Sequence, residues 1–196
     1  MKRSSPTLNV LGLVVLLAIG MASVDAHAAD LSQPVLLIAS SQLDGSPFEQ
    51  TVVLAATRPD GGHIGFILNK RTTVKLQTLF PDDEAVRNVN DPVYLGGTGL
   101  LPGVFAVTRN APQGVHGTLV PLMPGLVAAL DAATVDRIIQ TTPNDARYFV
   151  GLMLWEPDEL EQQVDNEQWE VRPADVDTVL NAKSVGLWNA LRDPWV

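Results

Sequence analysis

Ser40 and Ser41, with His63, His116 and many carboxylates, supply the residue types of a serine hydrolase. No Gly-x-Ser-x-Gly elbow presents either serine, and His63 stands beside a predicted hairpin turn, so no catalytic residue is assigned. Gly96-Gly97-Thr98-Gly99 at a strand end is a second candidate, because consecutive backbone N–H groups can form a nest for an anion. The next predicted element is a strand, not a helix N-terminus, and no Gly-Lys-Ser/Thr follows; a glycine turn or bulge is the better reading. Asn69-Lys70-Arg71 gives a polar end to a buried strand. Asn69 is expected to lock backbone groups near Gly96, and Lys70 or Arg71 to offer charge to an anionic ligand. The ligand-binding candidates are therefore Asn69, Lys70, Gly96, Gly97 and Thr98.

A third group of residues is acidic and aromatic. Glu156, Asp158, Glu159, Glu161, Asp165 and Glu167 have the oxygen ligands a hard cation takes, but not the spacing of a calcium loop. A solvated acidic face is favoured, and neither a metal nor a cofactor is expected. Trp155 and Trp169 flank this stretch, as core anchors or as part of a surface for a partner. The partner-docking candidates are Trp155, Glu159, Glu161 and Trp169.

The elements that position these residues are legible from periodicity and turn chemistry. Tyr148 to Trp155 is an almost unbroken apolar run of strand length, suited to burial on both faces. Pro157 is expected in the first turn of a short helix, with Asp158 and Glu159 complementing its dipole and Leu160 and Val164 facing inward. Earlier, Val35–Ala39, Thr51–Ala56 and His63–Asn69 are predicted strands, the last two joined through Arg58-Pro59-Asp60-Gly61-Gly62, a strong hairpin signal. A helix over Val74–Phe80 and strands over Val93–Leu95, Val104–Thr108 and Leu126–Leu130 follow, with a brief edge pairing at Thr118–Leu122. Asp131 is a predicted N-cap for a helix over Ala132–Gln140. Pro173–Leu180 and Val185–Leu191 are expected to be short helices. Strands grouped early with helices interspersed later indicate an α+β domain.

The chain of 196 residues is 46% hydrophobic, enough for one well-buried domain. It has no cysteine, which excludes disulfides and thiolate chemistry. A formal charge of -9 and a pI near 4.6 disfavour direct nucleic-acid binding. Lys2 and Arg3, the apolar stretch Leu8 to Ala22 and Ala26-His27-Ala28 form the three parts of a secretory signal peptide, with cleavage expected after Ala28. The expected organisation is a signal peptide over 1–28 and a single domain over 29–196, periplasmic or secreted, without a transmembrane helix after cleavage.

Several separated patterns resemble the YqgE/AlgH family from about Val35 to Trp188. They are Phe48 with Val52-Val53; Gly65-Phe66-Ile67-Leu68-Asn69-Lys70; Gly96-Gly97; Arg147-Tyr148-Phe149-Val150-Gly151; and Trp155 with Glu159-Leu160-Glu161 and Trp169. The resemblance implies a strongly bent, barrel-like mixed sheet flanked by short helices. The family is often described as regulating transcription, and no catalytic residues carry over from it. The chain departs from the family pattern at Ala39-Ser40-Ser41, Gly96-Gly97-Thr98 and Asp158-Glu159-Leu160-Glu161. The expected function is a non-catalytic binding or accessory protein of the cell envelope, its partner an envelope protein or a small anionic ligand. The alternatives are a regulator of transcription, if the chain is cytoplasmic, or a small-molecule enzyme with a pocket near Gly96–Gly99.

Overall fold

The computed structural model describes residues 30–109, 117–181 and 183–192. The predicted signal peptide and its cleavage site, and His116, lie outside the described residues. Among the described residues nine strands form one sheet: β1 (Val35–Ala39), β2 (Val52–Thr57), β3 (His63–Ile67), β4 (Tyr94–Leu95), β5 (Gly99–Arg109), β6 (Leu119–Met123), β7 (Leu126–Ala129), β8 (Ala146–Trp155) and β9 (Trp169–Pro173). Their spatial order is β6-β7-β5-β8-β3-β2-β1-β9, and β4 pairs with β8 off this path. Every pairing is antiparallel except β4 with β8. The helices are short: α1 (Leu76–Leu79), α2 (Ala132–Thr141), α3 (Glu159–Asp165), α4 (Val176–Asn181) and α5 (Leu187–Arg192).

The sheet is curled into a half-barrel, which lets strands far apart in the order share one core. Ile38 and Val52, from β1 and β2, pack in the same cluster as Leu122 and Leu126, from β6 and β7. β8 is the pivot of the curl. One of its edges pairs with β5, while the other carries β4 at Phe149 and Val150 and β3 from Met153 to Trp155. Gly151, at φ +69, bends β8 between those two partners, a conformation that only glycine adopts at little cost. The continuous apolar run of β8 follows from this position, since it is covered on nearly all sides; Leu154 is its exposed exception.

The hairpin between β2 and β3 forms as its residues require. Gly61 takes φ +86 and the Asp60 carboxylate accepts a hydrogen bond from the Gly62 N–H at 3.1 Å. Asp131 caps α2 by accepting from the Thr134 N–H at 2.9 Å, and α2 buries Val135, Ile138 and Ile139.

Three expectations need correction. The segment 74–80 forms only the single turn of α1, because few apolar contacts are available to hold a longer helix and Pro81 stops it. The helix expected over Pro173–Leu180 begins only at Val176, because Pro173 ends β9, which pairs along the whole of β1, from Ala39 opposite Trp169 to Val35 opposite Pro173. A strand ending in proline is tolerated there because β9 is the edge of the sheet. Pro157 precedes α3 by two residues instead of lying in its first turn. Asp158 sits in the left-handed region at φ +65 without capping the helix, and the Glu159 carboxylate reaches back to accept from the Glu156 N–H at 2.9 Å.

Candidate functional site

The glycine stretch after β4 crosses directly over the bend in β8. The Gly96 N–H donates to the Val150 carbonyl at 2.9 Å and the Gly96 carbonyl accepts from the Ile67 N–H at 2.8 Å, so this residue stitches β8 to the end of β3. A Cβ on Gly96 would collide with the Gly151 carbonyl, and one on Gly97 with the backbone of Leu152. These glycines permit backbone to lie on backbone, and the Gly96 donor is already committed inside the sheet.

Asn69 and Lys70 are also engaged within the fold. Asn69 bridges a different segment from the one expected: Oδ1 accepts from the Val52 N–H and Nδ2 donates to the Gln50 carbonyl, both at 2.8 Å. It locks the entry to β2, not the loop at Gly96, because the antiparallel register of β2 with β3 brings the end of β3 beside the start of β2. Lys70 Nζ donates to the Glu49 carbonyl at 2.9 Å in the same turn.

Of the ligand-binding candidates only Thr98, and of the docking candidates Trp155, Glu159 and Trp169, line one groove of about 360 Å³. Thr98 and Gly99 form one lip; Glu159, Gln163 and Gln168 form the other; Leu43, Phe48, Met153, Trp155 and Trp169 line the apolar interior. Trp155 and Trp169 are 2% and 4% exposed, so they are core anchors forming the floor, not free stacking surfaces. Gln163 Oε1 accepts from both indoles, at 3.0 Å from Trp155 Nε1 and 2.9 Å from Trp169 Nε1. One amide oxygen thereby ties α3 to β8 and β9 and satisfies two buried donors. Phe48 meets Trp169 edge-on, with ring centroids 6.3 Å apart.

Helical geometry divides the acidic residues of α3. Glu159 and Gln163, four apart, share the face that lines the groove, whereas Glu161 is turned by roughly 200° from Glu159. The Glu161 Oε2 atom is buried and has no hydrogen-bond partner among the described residues. Gln163 was not anticipated from sequence, although its place one turn after Glu159 was the available signal.

Ser40 and His63 are not brought together. Ser40 Oγ donates to the Glu167 carbonyl and accepts from the Gln42 N–H at 3.1 Å. His63 is 2% exposed, with Nε2 at 3.1 Å from the Leu31 carbonyl. The register of β1, β2 and β3 sets Ser40 level with Lys70, seven residues along β3 from His63, a separation of roughly 20 Å at strand spacing. Among the described residues no group of three histidines or carboxylates could hold a metal ion, and no helix is long and apolar enough to cross a membrane.

A second cleft, of about 340 Å³, lies between the end of α4 and the strand pair that carries Tyr94. It is lined by Arg71, Asp91, Arg147, Lys183 and Ser184 among others. Arg147 opens β8 and is 4% exposed, its guanidinium donating to the Val179 carbonyl at 2.9 Å and lying 4.9 Å from the centroid of the Tyr94 ring. A charged residue at the head of an apolar strand was the sequence signal for this position. A third cavity, of about 330 Å³, is apolar, with Asp83 and Asp136 at its wall. Burial raises the Asp136 carboxyl above the usual range, and the neighbouring Asp83 adds to this.

Comparison with known proteins places this architecture. A family model described as AlgH-like (DUF179) matches residues 36–193. A UPF0301 protein of Chlorobaculum parvum is 30% identical over 159 residues, spanning 79% of this chain and 81% of the relative. One from Streptomyces coelicolor is 27% identical over 148 residues, spanning 72% and 76%. The solution structure of the AlgH protein from Pseudomonas aeruginosa superposes with a TM-score of 0.66 at 19% identity, covering 85% of this chain and 90% of that one. The crystal structure of protein DIP2367 from Corynebacterium diphtheriae gives 0.65 at 24% identity, with the same coverage. The latter two share the fold, and the names of all four specify no activity.

Proposed function

The chain belongs to the AlgH-like family, and on that footing we propose that it is a non-catalytic binding or accessory protein of the cell envelope that receives a partner protein in the groove between α3 and the Thr98–Gly99 lip. The observation that carries this reading is the groove itself. It joins residues from five separate segments around an apolar floor, with an acid at its rim. Such a site suits a partner segment that inserts one apolar side chain and places a basic residue against Glu159. The net charge of -9 would assist the approach of a basic partner at low ionic strength.

Location outside the cytoplasm rests on the N-terminal sequence, with its basic start, short apolar stretch and Ala26-His27-Ala28. A net charge of -9 repels a phosphate backbone, which argues against direct regulation at a promoter.

Fractionation and crosslinking test the two parts. The protein should appear in the envelope or periplasmic fraction, with an N-terminus near residue 29. Photo-crosslinkers at Thr98 and Gln168 should capture the same partner, and Glu159→Lys should reduce capture about tenfold while Glu161→Gln leaves it unchanged. Cytosolic residence with salt-sensitive binding to duplex would end the envelope reading. Capture unaffected by Glu159→Lys would remove the groove from it.

A further inference from the structure

We propose that the cleft between Tyr94 and the end of α4 is a binding site for a phosphate dianion, free or as the monoester of a small molecule. This site is separate from the groove and does not depend on it. Its residues come from distant parts of the chain, at positions 71, 91, 94, 147, 183 and 184, and converge on about 340 Å³, enough for a small organic phosphate.

The charge in the cleft opposes that of the whole protein. Among the described residues that line the cleft, Arg71, Arg147 and Lys183 stand with one carboxylate, Asp91, so the lining carries three positive charges to one negative in a chain of net -9. A phosphate dianion matches that surplus, whereas a monocarboxylate leaves half of it uncompensated. Arg147, 4% exposed, is less screened by water than the exposed Arg71 and Lys183, which strengthens its attraction for an anion.

Geometry distinguishes this cluster from cations scattered on a surface. Arg147 is positioned by a terminal nitrogen that donates to the Val179 carbonyl and by its guanidinium carbon lying over the Tyr94 ring. A preorganised guanidinium loses little side-chain freedom when it binds an oxyanion. Arg71 is the bridge partner of Tyr94, so the two side chains stand on the same face and Arg71 is directed over the same cleft. The backbone supports this placement, since the Leu95 N–H donates to the Lys70 carbonyl at 2.9 Å and the Thr72 N–H to the Val93 carbonyl at 3.1 Å. Lys183 and Ser184 come from the segment joining α4 to α5, and Ser184 is 8% exposed. Among the described residues neither Arg71 nor Lys183 forms an ion pair, and both side chains are exposed. Leu180 and Val185 add an apolar margin on which the organic part of a monoester can rest.

Calorimetric titration of the full chain with inorganic phosphate, phenyl phosphate and acetate at matched ionic strength tests the assignment. One phosphate should bind per chain, and acetate at least about tenfold more weakly, as charge-assisted contacts to a dianion require. Phenyl phosphate binding more tightly than phosphate identifies a monoester as the ligand; equal affinities identify free phosphate. The double variant Arg71→Ala, Lys183→Ala alters only exposed side chains and should keep its melting temperature while losing at least about tenfold in affinity. Asp91→Asn should tighten binding about threefold by removing the one opposing charge. Arg147→Lys keeps the charge but loses the planar fork, and should weaken binding if it folds. No binding at about 10 mM phosphate, equal affinity for acetate, or an unchanged constant in the double variant would each overturn the proposal.

Discussion

Replacing Gln163 by methionine isolates the contact on which the groove depends. Methionine keeps a similar volume and is a good helix former, so α3 retains its propensity and packing. What is lost is the single oxygen that accepts from Trp155 Nε1 and Trp169 Nε1. Both indoles are nearly inaccessible, and leaving a buried donor unsatisfied costs about 1–3 kcal/mol. Two donors give an upper range of ~6 kcal/mol, but losses at two groups that share one acceptor are not additive. The expected loss is therefore about 2–4 kcal/mol, or a fall in melting temperature of roughly 5–15 °C for a domain of this size. Urea denaturation followed by tryptophan fluorescence and by circular dichroism measures it. Trp155→Phe made in the Gln163→Met background removes one orphaned donor, so the cost of Gln163→Met should shrink by about 1 kcal/mol or more in that cycle. A Gln163→Met chain within about 0.5 kcal/mol of the wild type would refute the reasoning, because it would mean that the shared acceptor contributes nothing net.

Asn69→Ala should destabilise by about 1–3 kcal/mol by orphaning the Val52 N–H and the Gln50 carbonyl, while Asn69→Asp, which retains only the acceptor, should fall between; equilibrium denaturation ranks the three. Hydrogen bonds from the Thr134 hydroxyl, and then from the Thr134 N–H, lower the Asp131 carboxyl below 3.8. A depressed carboxylate contributes stability that is present above the unfolded value and lost as pH falls through the folded one, so Asp131→Asn should flatten the acid limb of the stability profile below about pH 4. Gly97→Ala should prevent the crossing of β8 or cost several kcal/mol, since its methyl meets the Leu152 backbone and has nowhere to move; soluble yield and melting temperature report this. Trp188→Phe should cost about 1 kcal/mol by removing the 2.8 Å hydrogen bond from the indole to the Ala39 carbonyl, again read by denaturation.

Local information was enough for much of the fold. The apolar runs at 35–39, 52–56 and 148–155, the Asp60-Gly61 turn and the Asp131 cap depend on residues close in sequence, whose propensities and hydrogen bonds act before any distant contact forms. The opposite holds for β9. Trp169 and Val171 alternate with polar residues, but five residues ending in proline become a strand only because β1 offers an unpaired edge. The curl likewise had no local signal, and depends on Gly151 meeting Gly96 and Gly97 from the distant segment that follows β4.

For the sites the division is sharper. Sequence alone determined which residue types are present, the absence of cysteine, the acidic balance, and the individual strands and caps, because these are properties of composition and of neighbours. Only the tertiary structure decided that Thr98 and Glu159 face one groove, that Glu161 turns away from it, that Ser40 and His63 stand at opposite ends of a sheet, and that Arg71, Arg147 and Lys183 share a cleft. The physical reason is that strand register and sheet curvature are set by long-range burial of apolar surface, and a shift of one residue in any pairing would send those side chains to the other face.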